Sequence, residues 1–595
     1  MQTNEEEDPP KKYRLHIVDR SYTGWSFMDA DTNLENGSDI SVVPLENKLF
    51  NKDIIRVKDG RVELVYSYVR TAIFLSGVLM LENNKTFGRT ANKKRLLYKC
   101  VPNDKHLPAF LIPYDIKIGF SKAHKNKYVV FKYDSWEDTH PHGILTETIG
   151  DVDKLEAFYE YQLYCKSLHQ SLVEFSNKTK ASLQQYAHNN EGHVRTIFEN
   201  PDFKIEDRRD VYIFTIDPTN SLDFDDGFSI ETIITEKGTY QKVSVYIANV
   251  FLWLETLGLW NSFSQRVATI YLPDRRRPML PTILSDSLCS LQEDKERFAL
   301  VMDMMVDSSS GNISEDYPVQ ITNAFIKVKK NYRYEDPKMI NKDDAYKRLF
   351  DISARMDNHV KNSHDVVAHW MVMMNSQLGL MMAKRKMGIF RSAFFINPNK
   401  GAEVMDAPHI HEDTKRLIHL WNNSTGHYVL YSDEISLAHE MMTCRQGTMK
   451  SYIHITSPIR RLIDLLNQII LLQDFGLVKN VSRDANQFLN DWITKLDYIN
   501  TSMRSIRKLQ TDCETLNRCS SDPNIMETIH EGIMFDKVVK TDGIVNYMVY
   551  LEKIRLLTKV ITEVNIENYS YKKFRLFLFE DEDKVKKKIR LQLVD

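Results

Sequence analysis

The segment VYIFTIDPTNSLDFDDGFSI, residues 211–230, begins with six consecutive β-branched or aromatic residues, Val211 to Ile216, and so predicts a strand. Pro218 keeps Asp217 extended and stops the chain from turning helical at once. Asp217, Asp223, Asp225 and Asp226 then place four negative charges in one short strand-end loop, which Gly227 helps to close. Each like-charged pair about 4 Å apart costs about 1 kcal/mol in water and about 4 kcal/mol at an effective dielectric of about 20, so the loop demands a counter-charge. A hard divalent cation answers that demand, and Mg2+ in particular is held by one or two carboxylates together with substrate phosphate oxygens. The chemistry this implies is phosphoryl transfer, with Mn2+ as a substitute metal. An EF-hand is excluded, because its D-x-[DN]-x-[DN]-G spacing and closing Glu are absent. A solvated acidic turn is ordinary for two aspartates and a poor account of four that follow a strand of buried character.

A second constellation is YIHITSPIRRLID, Tyr452 to Asp464. Ser457 and Pro458 have the form of an N-cap and first helical residue, and Ile459, Leu462, Ile463, Leu466 and Ile470 continue an apolar stripe as far as Gly476. A helix of about 17 residues is predicted from that spacing. Its first turn carries Arg460 and Arg461 beside the hydroxyls of Thr456 and Ser457, so guanidinium, helix dipole and free amides form an anion site. Arg460 and Asp464 are also four residues apart on one face, and an intrahelical pair with a cap explains the same residues equally well.

Around these segments lies a chain of 595 residues, enough for about four domains. Hydrophobic residues make up 42% and charged residues 27%, which excludes wholesale disorder. The longest apolar runs, Thr71 to Leu81 and Trp370 to Ala383, are too short or too interrupted to span a bilayer, so no membrane association is expected. The acidic start MQTNEEEDPPKK lacks the form of a secretory signal. The six cysteines are scattered, and the nearest pair, Cys513 and Cys519, has five residues between, so free thiols in a reducing compartment are expected. An intracellular and chiefly cytoplasmic location follows, with the nucleus open. The formal net charge of -2 gives no global field for a polyanion, so any nucleic-acid surface must be local.

Such a surface is offered by Lys93 to Lys127, with nine Lys or Arg (Lys93, Lys94, Arg95, Lys99, Lys105, Lys117, Lys122, Lys125, Lys127) against Asp104 and Asp115, interleaved with Tyr98, Phe110, Tyr114 and Phe120. Phosphates take such charges and unstacked bases take such aromatic faces, although a solvated basic face on an ordinary barrel has the same composition. After a polar tail over 1–12, β-rich runs separated by turn residues predict a barrel over 13–69 and another over 70–147. Helical spacing predicts a connector over 148–205, followed by a mixed α/β domain over 206–515 and β-rich runs over 525–595. HPH (His140, His142) and HIHED (His409, His411) lack a third ligand at zinc spacing, and the Met-rich run Trp370 to Met387 reads as core filler.

TIDPTNSLDFDD and HITSPIRRLIDLL, in that order, resemble the two signature blocks of the RNB-type exoribonucleases of the RNase II and RNase R family. Arg266 and Tyr271 in RVATIYLPDRRRPMLP, LSDSLCSLQ at Leu284 to Gln292, Tyr334 in NYRYED and Arg391 in KMGIFRSAF extend the likeness. Upstream, SGVLMLENNKTFGRT, LPAFLIPY and DTHPHGILTETIGDVDKLEAFYEYQLY are similar to the cold-shock-type barrels of the eukaryotic branch, that of the exosome's catalytic subunit, whose additional N-terminal nuclease domain is not expected here.

The resemblance implies a multidomain α+β chain with N-terminal OB or cold-shock-type barrels, a central mixed α/β RNB domain and a C-terminal RNA-binding OB-like barrel. It implies an Mg2+-dependent hydrolase that degrades single-stranded RNA from 3′ to 5′, processively, to nucleoside 5′-monophosphates. Asp217, Asp223 and Asp226 would form the metal cluster and Asp225 would hold the terminal nucleotide and attacking water. Arg460 would stabilise the transition-state charge and Tyr271 would stack on the last base. Arg266, Tyr334 and Arg391 would line the strand's path, and Ser457 and Arg461 would contact its phosphates. Single-stranded RNA is the expected partner, with the chain a monomer or a member of an RNA-decay complex. The sequence departs from the family at Tyr246 and Asn249, at Ala368 and His369, and at Gln468 and Ile469. Such changes also fit a catalytically silent RNA binder.

Overall fold

The computed structural model describes residues 11–594 apart from 33, 35–39, 59–60, 83–84, 91, 93, 117–123, 185–191, 395–403, 405–406, 424, 434–438, 445–446, 450, 541–542 and 584. Lys93, Lys117, Phe120 and Lys122 of the basic tract lie outside the described residues. One compact unit gathers the segments up to His169 and from Leu509 onward, with Leu272–Asp274; the other holds Gln170–Tyr271 and Arg275–Lys508.

In the first unit, β1 (Lys12–Ile17), β2 (Trp25–Asp29), β3 (Ile54–Lys58) and β4 (Arg61–Tyr66) form an antiparallel sheet in the order β2-β1-β3-β4. The next sheet comprises β5 (Leu75–Leu79), β6 (Leu96–Pro102), β7 (Phe110–Tyr114), β8 (Lys127–Tyr133) and β9 (Gly143–Asp151), in the order β7-β6-β5-β8-β9. A parallel bridge between Leu111 and His142 links its two ends. That connectivity is the partly open five-stranded Greek key of the OB fold. The two sheets share one core, in which Leu15, Phe27, Phe50, Phe110 and Phe131 are buried together and Phe50 stacks on Phe110 at 5.9 Å and 6°.

After β10–β20 of the second unit, the C-terminal strands β21 (His530–Val539), β22 (Val545–Leu551), β23 (Leu556–Thr562), β24 (Tyr571–Glu580) and β25 (Lys587–Val594) repeat the OB-type order as β23-β22-β21-β24-β25.

The second unit is built on a closed barrel of β10 (Ile205–Asp217), β11 (Asp226–Thr235), β12 (Gly238–Ala248), β15 (Glu296–Asp307) and β16 (Gln320–Arg333). The first and last of these are paired in parallel to complete the ring. Barrel-strand residues such as Phe214, Phe228, Val243, Val245, Leu300 and Met302 are fully buried. The short strands β13 (Ile270–Tyr271) and β14 (Arg276–Arg277) form a hairpin between β12 and β15. A further sheet contains β17 (Ile389–Phe394), β18 (Thr425–Leu430), β19 (His439–Cys444) and β20 (Gly447–Met449).

Helix Ser363–Lys384 starts at a capping box in which Asn362 and Asp365 each accept from the other's backbone. Met374 and Met382 are fully buried along it, as expected of core filler. At Gly379 a Cβ would lie 3.1 Å from the Ser451 carbonyl, so glycine permits the helix to approach the chain that leads into Thr456 and Ser457. Asn375 fixes that approach by donating to the Tyr452 hydroxyl (3.1 Å) and accepting from the Ile455 amide (3.0 Å). Among the described residues no helix is long and apolar enough to cross a membrane.

The expected helix beginning at Pro458 is corrected. Helix Leu462–Asp474 has 13 residues, with Arg461 as N-cap in extended backbone at φ −136°. The reason is tertiary pairing: Thr269 donates to the Arg460 carbonyl (2.9 Å) and Leu462 donates to the Val267 carbonyl (2.9 Å). Ser457 to Arg460 form a separate turn, closed by the Arg460 and Arg461 amides on the Ser457 carbonyl.

Candidate active site

Asp217 is the last residue of β10 and Asp226 the first of β11, neighbouring strands paired at Phe214 and Phe228. The loop between them is pinned from behind by Ser290, whose hydroxyl donates to the Leu222 carbonyl (2.8 Å) and accepts from the Phe224 amide (3.0 Å). The Asp225 carbonyl accepts from Ala248 (2.8 Å) at the end of β12. Barrel strands and the LSDSLCSLQ segment therefore hold all four carboxylates in place.

The four differ in what compensates them. Asp225 is buried; its Oδ1 accepts from the Ile459 amide (3.0 Å) and its Oδ2 from Arg460 Nε (3.0 Å). Burial still pushes its carboxyl up to about 7. Asp223 forms an ion pair with Arg276 at 2.6 Å, and Arg276 also reaches Asp286. The Tyr271 hydroxyl donates to the remaining Asp223 oxygen at 3.4 Å.

Asp217 and Asp226 are left as a buried pair, each with an Oδ2 that has no hydrogen-bond partner among the described residues. Burial raises both carboxyls, and for Asp217 the charge of Asp226 adds to the effect. Unsatisfied buried carboxylate oxygens cost several kcal/mol unless protonated or given a cation.

Among the described residues no three His, Cys, Asp or Glu side chains are gathered to hold an ion by themselves. Two neighbouring buried carboxylates suit Mg2+ or Mn2+, which complete their shells with water and phosphate oxygens. The donor set therefore fits such a metal through Asp217 and Asp226, with Asp223, the expected third member, bound instead to Arg276.

Arg460 is fixed by Asp225 and by donation from Nη2 to the Ser457 hydroxyl (3.0 Å), while among the described residues its Nη1 takes no partner. Tyr271 stands by its hydroxyl at Asp223 and is 41% exposed. Tyr334 follows β16, its amide donating to the Asp217 carbonyl at 3.1 Å. The structure thus brings together Asp217, Asp223, Asp225, Asp226, Arg460, Ser457, Tyr271 and Tyr334.

Three expected residues lie elsewhere or are otherwise engaged. Arg266 donates to the carbonyls of Pro278 (2.7 Å) and Gln170 (2.5 Å) and is buried. Arg461 donates to Asp464 (2.8 Å), whose same oxygen accepts from the Ser457 amide (2.8 Å). It is Arg461, and not Arg460, that pairs with Asp464. Arg391 lies over the Tyr428 ring at 5.2 Å, where burial and the nearby positive charges of Arg507 and Arg461 push its pKa down. The amides expected to point at an anion are occupied: Ile459 by Asp225, Arg460 and Arg461 by the Ser457 carbonyl, and Leu462 by Val267.

The departures at Tyr246, Asn249 and Gln468 are interior. Tyr246 shares a buried 2.9 Å hydroxyl contact with Ser229 on the neighbouring barrel strand. Asn249 caps helix Val250–Thr256 and donates to Asn323 (2.9 Å), and Gln468 bridges the Ala248 carbonyl and the Phe251 amide.

Sequence reasoning missed Arg276 and Ser290. The triple arginine Arg275–Arg277 of DRRRP is the available signal for the first, and the place of the second within LSDSLCSLQ is the signal for it.

Residues 205–364 match the family model described as RNB domain, and residues 97–161 match that described as Dis3-like cold-shock domain 2. Ribonuclease R of Chlamydia pneumoniae is 26% identical over 332 residues, 46% of this chain and 48% of that protein. The chain spans about half or less of the length of the curated relatives it matches. Among solved structures, Mycoplasma genitalium RNase R in complex with ribose-methylated single-stranded RNA has the same fold, with TM-score 0.63 at 14% identity over 98% of this chain and 100% of that one. Yeast Ssd1, described as a pseudonuclease, matches with TM-score 0.55 at 12% identity over 92% of this chain and 78% of its own. Domain matches, relatives and fold agree with the aspartate loop and the SPIRR turn, and residues 205–364 of this chain carry an RNB domain.

Proposed function

We propose that this chain is an exoribonuclease that hydrolyses single-stranded RNA from the 3′ end, processively and with Mg2+, releasing nucleoside 5′-monophosphates. The observation that carries this is the pair of unpartnered buried oxygens on Asp217 and Asp226, set beside an arginine held by a third aspartate. Mg2+ held by these two carboxylates would polarise the scissile phosphate and make water nucleophilic near neutral pH.

The chain's own residues supply the rest. Arg460, fixed at Nε and Nη2, presents Nη1 to the charge that builds on the phosphate oxygens, and a donor already in place needs no reorganisation in the transition state. Asp225, with both oxygens engaged, acts by orienting that guanidinium. Tyr271 offers an exposed ring at the edge of the loop for the terminal base. A lone strand can be stacked in this way and a closed duplex cannot, so a 3′ single-stranded end is required.

The test is incubation of the full chain with 5′-labelled single-stranded RNA, with Mg2+ or excess EDTA. Progressive shortening from the 3′ end in Mg2+ alone supports the proposal; endonucleolytic fragments, or full activity in EDTA, overturn it.

A second reading, a silent RNA-binding member, is favoured by the Asp223–Arg276 ion pair, which removes one carboxylate from the metal, and by the likeness to Ssd1. RNA bound at micromolar concentration or tighter and left intact in Mg2+ and Mn2+ would select it. A monomer, or a subunit of an RNA-decay assembly, is compatible with either.

A further inference from the structure

Tyr334 and His364 lie face to face, with ring centroids 3.5 Å apart and planes 11° from parallel. Their chain neighbours are locked as well. The Glu335 amide donates to the Ser363 hydroxyl (2.9 Å), while the Ser363 amide (2.8 Å) and hydroxyl (2.6 Å) both donate to the Glu335 carboxylate. Ser363 is fully buried, and Glu335 adopts a left-handed backbone at φ 56°, a conformation that non-glycine residues hold only where their surroundings enforce it.

The stack stands next to the carboxylate pair. Tyr334 is bonded through its amide to Asp217, and its hydroxyl is pushed up to about 12 by burial and by the charges of Asp226 and Asp217. His364 is exposed, so one face of its ring is against Tyr334 while the residue as a whole remains open to solvent.

We infer that His364 is a nucleobase-stacking residue, its outer face extending the Tyr334 ring into a column for a base close to the scissile phosphate. This rests on the reading of single-stranded RNA as substrate. An exposed histidine ordinarily samples several rotamers, and fixing one costs entropy that a ligand must overcome. Here the inner stack and the Glu335–Ser363 clamp impose that order before any base arrives. An aromatic ring held in this way accepts any base, because every base has a π face. The clamp also ties helix Ser363–Lys384 to the end of β16, so the column keeps its place relative to Asp217.

The test uses the full chain in EDTA and an oligonucleotide carrying 2-aminopurine at successive positions from its 3′ end. Stacking predicts fluorescence quenching at one or two adjacent positions with wild type. His364→Ala should relieve that quenching and weaken binding by about tenfold, within the range expected for one lost base stack. His364→Phe should restore both, and the loss of one ring contact in His364→Ala should lower Tm by no more than a few degrees. In Mg2+, His364→Ala should raise KM more than it lowers kcat.

Quenching and affinity in His364→Ala equal to wild type would overturn the inference and leave the proposed function standing, as would failure of His364→Phe to restore them. Absence of RNA binding by wild type would instead overturn the proposed function, and the inference with it.

Discussion

Arg460 and Asp225, 235 residues apart in sequence, meet at 3.0 Å between Nε and Oδ2, and the neighbouring Ile459 amide holds the other oxygen of the same carboxylate. Two segments that carry little chemistry alone become one device: the acidic loop fixes the cation of the SPIRR turn, and that cation offsets part of the loop's charge.

Asp225→Asn keeps the shape of the side chain and removes the charge that orients Arg460. The expected result is a fall in single-turnover rate of about 10²-fold with RNA affinity little altered, since the lost interaction matters mainly in the transition state. Arg460→Lys keeps the charge and loses the planar fork, and a comparable loss is expected. Single-turnover decay of a labelled RNA beside a binding isotherm checks both; unchanged rates in both variants would refute the assignment.

Arg276 is the counter-charge at Asp223, and Arg276→Gln removes it. Loss of one positive charge a few ångströms from the loop should tighten divalent-ion binding by about 3- to 10-fold, a Coulombic effect of about 1 kcal/mol. Calorimetric titration with Mn2+ measures it. Equal affinity in variant and wild type would mean that Asp223 does not influence the ion.

The pH dependence has a definite sign. Asp225 is raised from 3.8 to about 7, and Asp217 and Asp226 are raised too, so the folded state binds these protons more tightly than the unfolded chain. Their stabilising contribution is complete below about pH 4 and is lost as pH rises toward about 7. Without metal, wild type should therefore lose Tm between pH 5 and pH 8 relative to Asp217→Asn. The rise in Tm caused by Mg2+ should grow over the same interval, as protons compete less for the carboxylates. Thermal melts at stepped pH test this, and an Mg2+ effect constant from pH 5 to 8 would contradict it.

Tyr271→Ala removes an exposed ring whose hydroxyl touches Asp223. A base stack is worth ~1–3 kcal/mol, and its loss should show most on short RNAs with few other contacts. A longer or more heterogeneous limit product on a denaturing gel is expected; an unchanged product would place the terminal base elsewhere.

What the sequence disclosed and what it hid follow from the range of the forces involved. The strand ending at Asp217 was legible because β-branched residues, a following proline and clustered charge are local signals. The OB-type sheets were legible from their short β-rich runs, and 3.6-residue periodicity correctly marked the helix through Leu466 and Ile470. Its start was misplaced because Ser457–Pro458 is a sound local cap, whereas Arg461 is held extended by backbone pairing with a segment nearly 200 residues earlier. The surroundings of Arg266 are likewise illegible in the sequence: the resemblance implies a place along the strand's path, and only the folded chain shows the carbonyls of Pro278 and Gln170 accepting from it. Arg276 escaped because its partners Asp223 and Asp286 are brought to it by the hairpin and the loop together.

The stack of Phe50 on Phe110 has a consequence for synthesis. When β1–β4 leave the ribosome, Leu15, Phe27 and Phe50 lack the other half of their core until Phe110 and Phe131 emerge. At about 5–20 residues per second, the interval from Phe50 to Phe110 takes roughly 3 to 12 s, during which an apolar face is open to chaperones or to a neighbouring nascent chain. A ribosome pause between β4 and β7 would prolong that exposure, while a pause after β9 would find the core already closed.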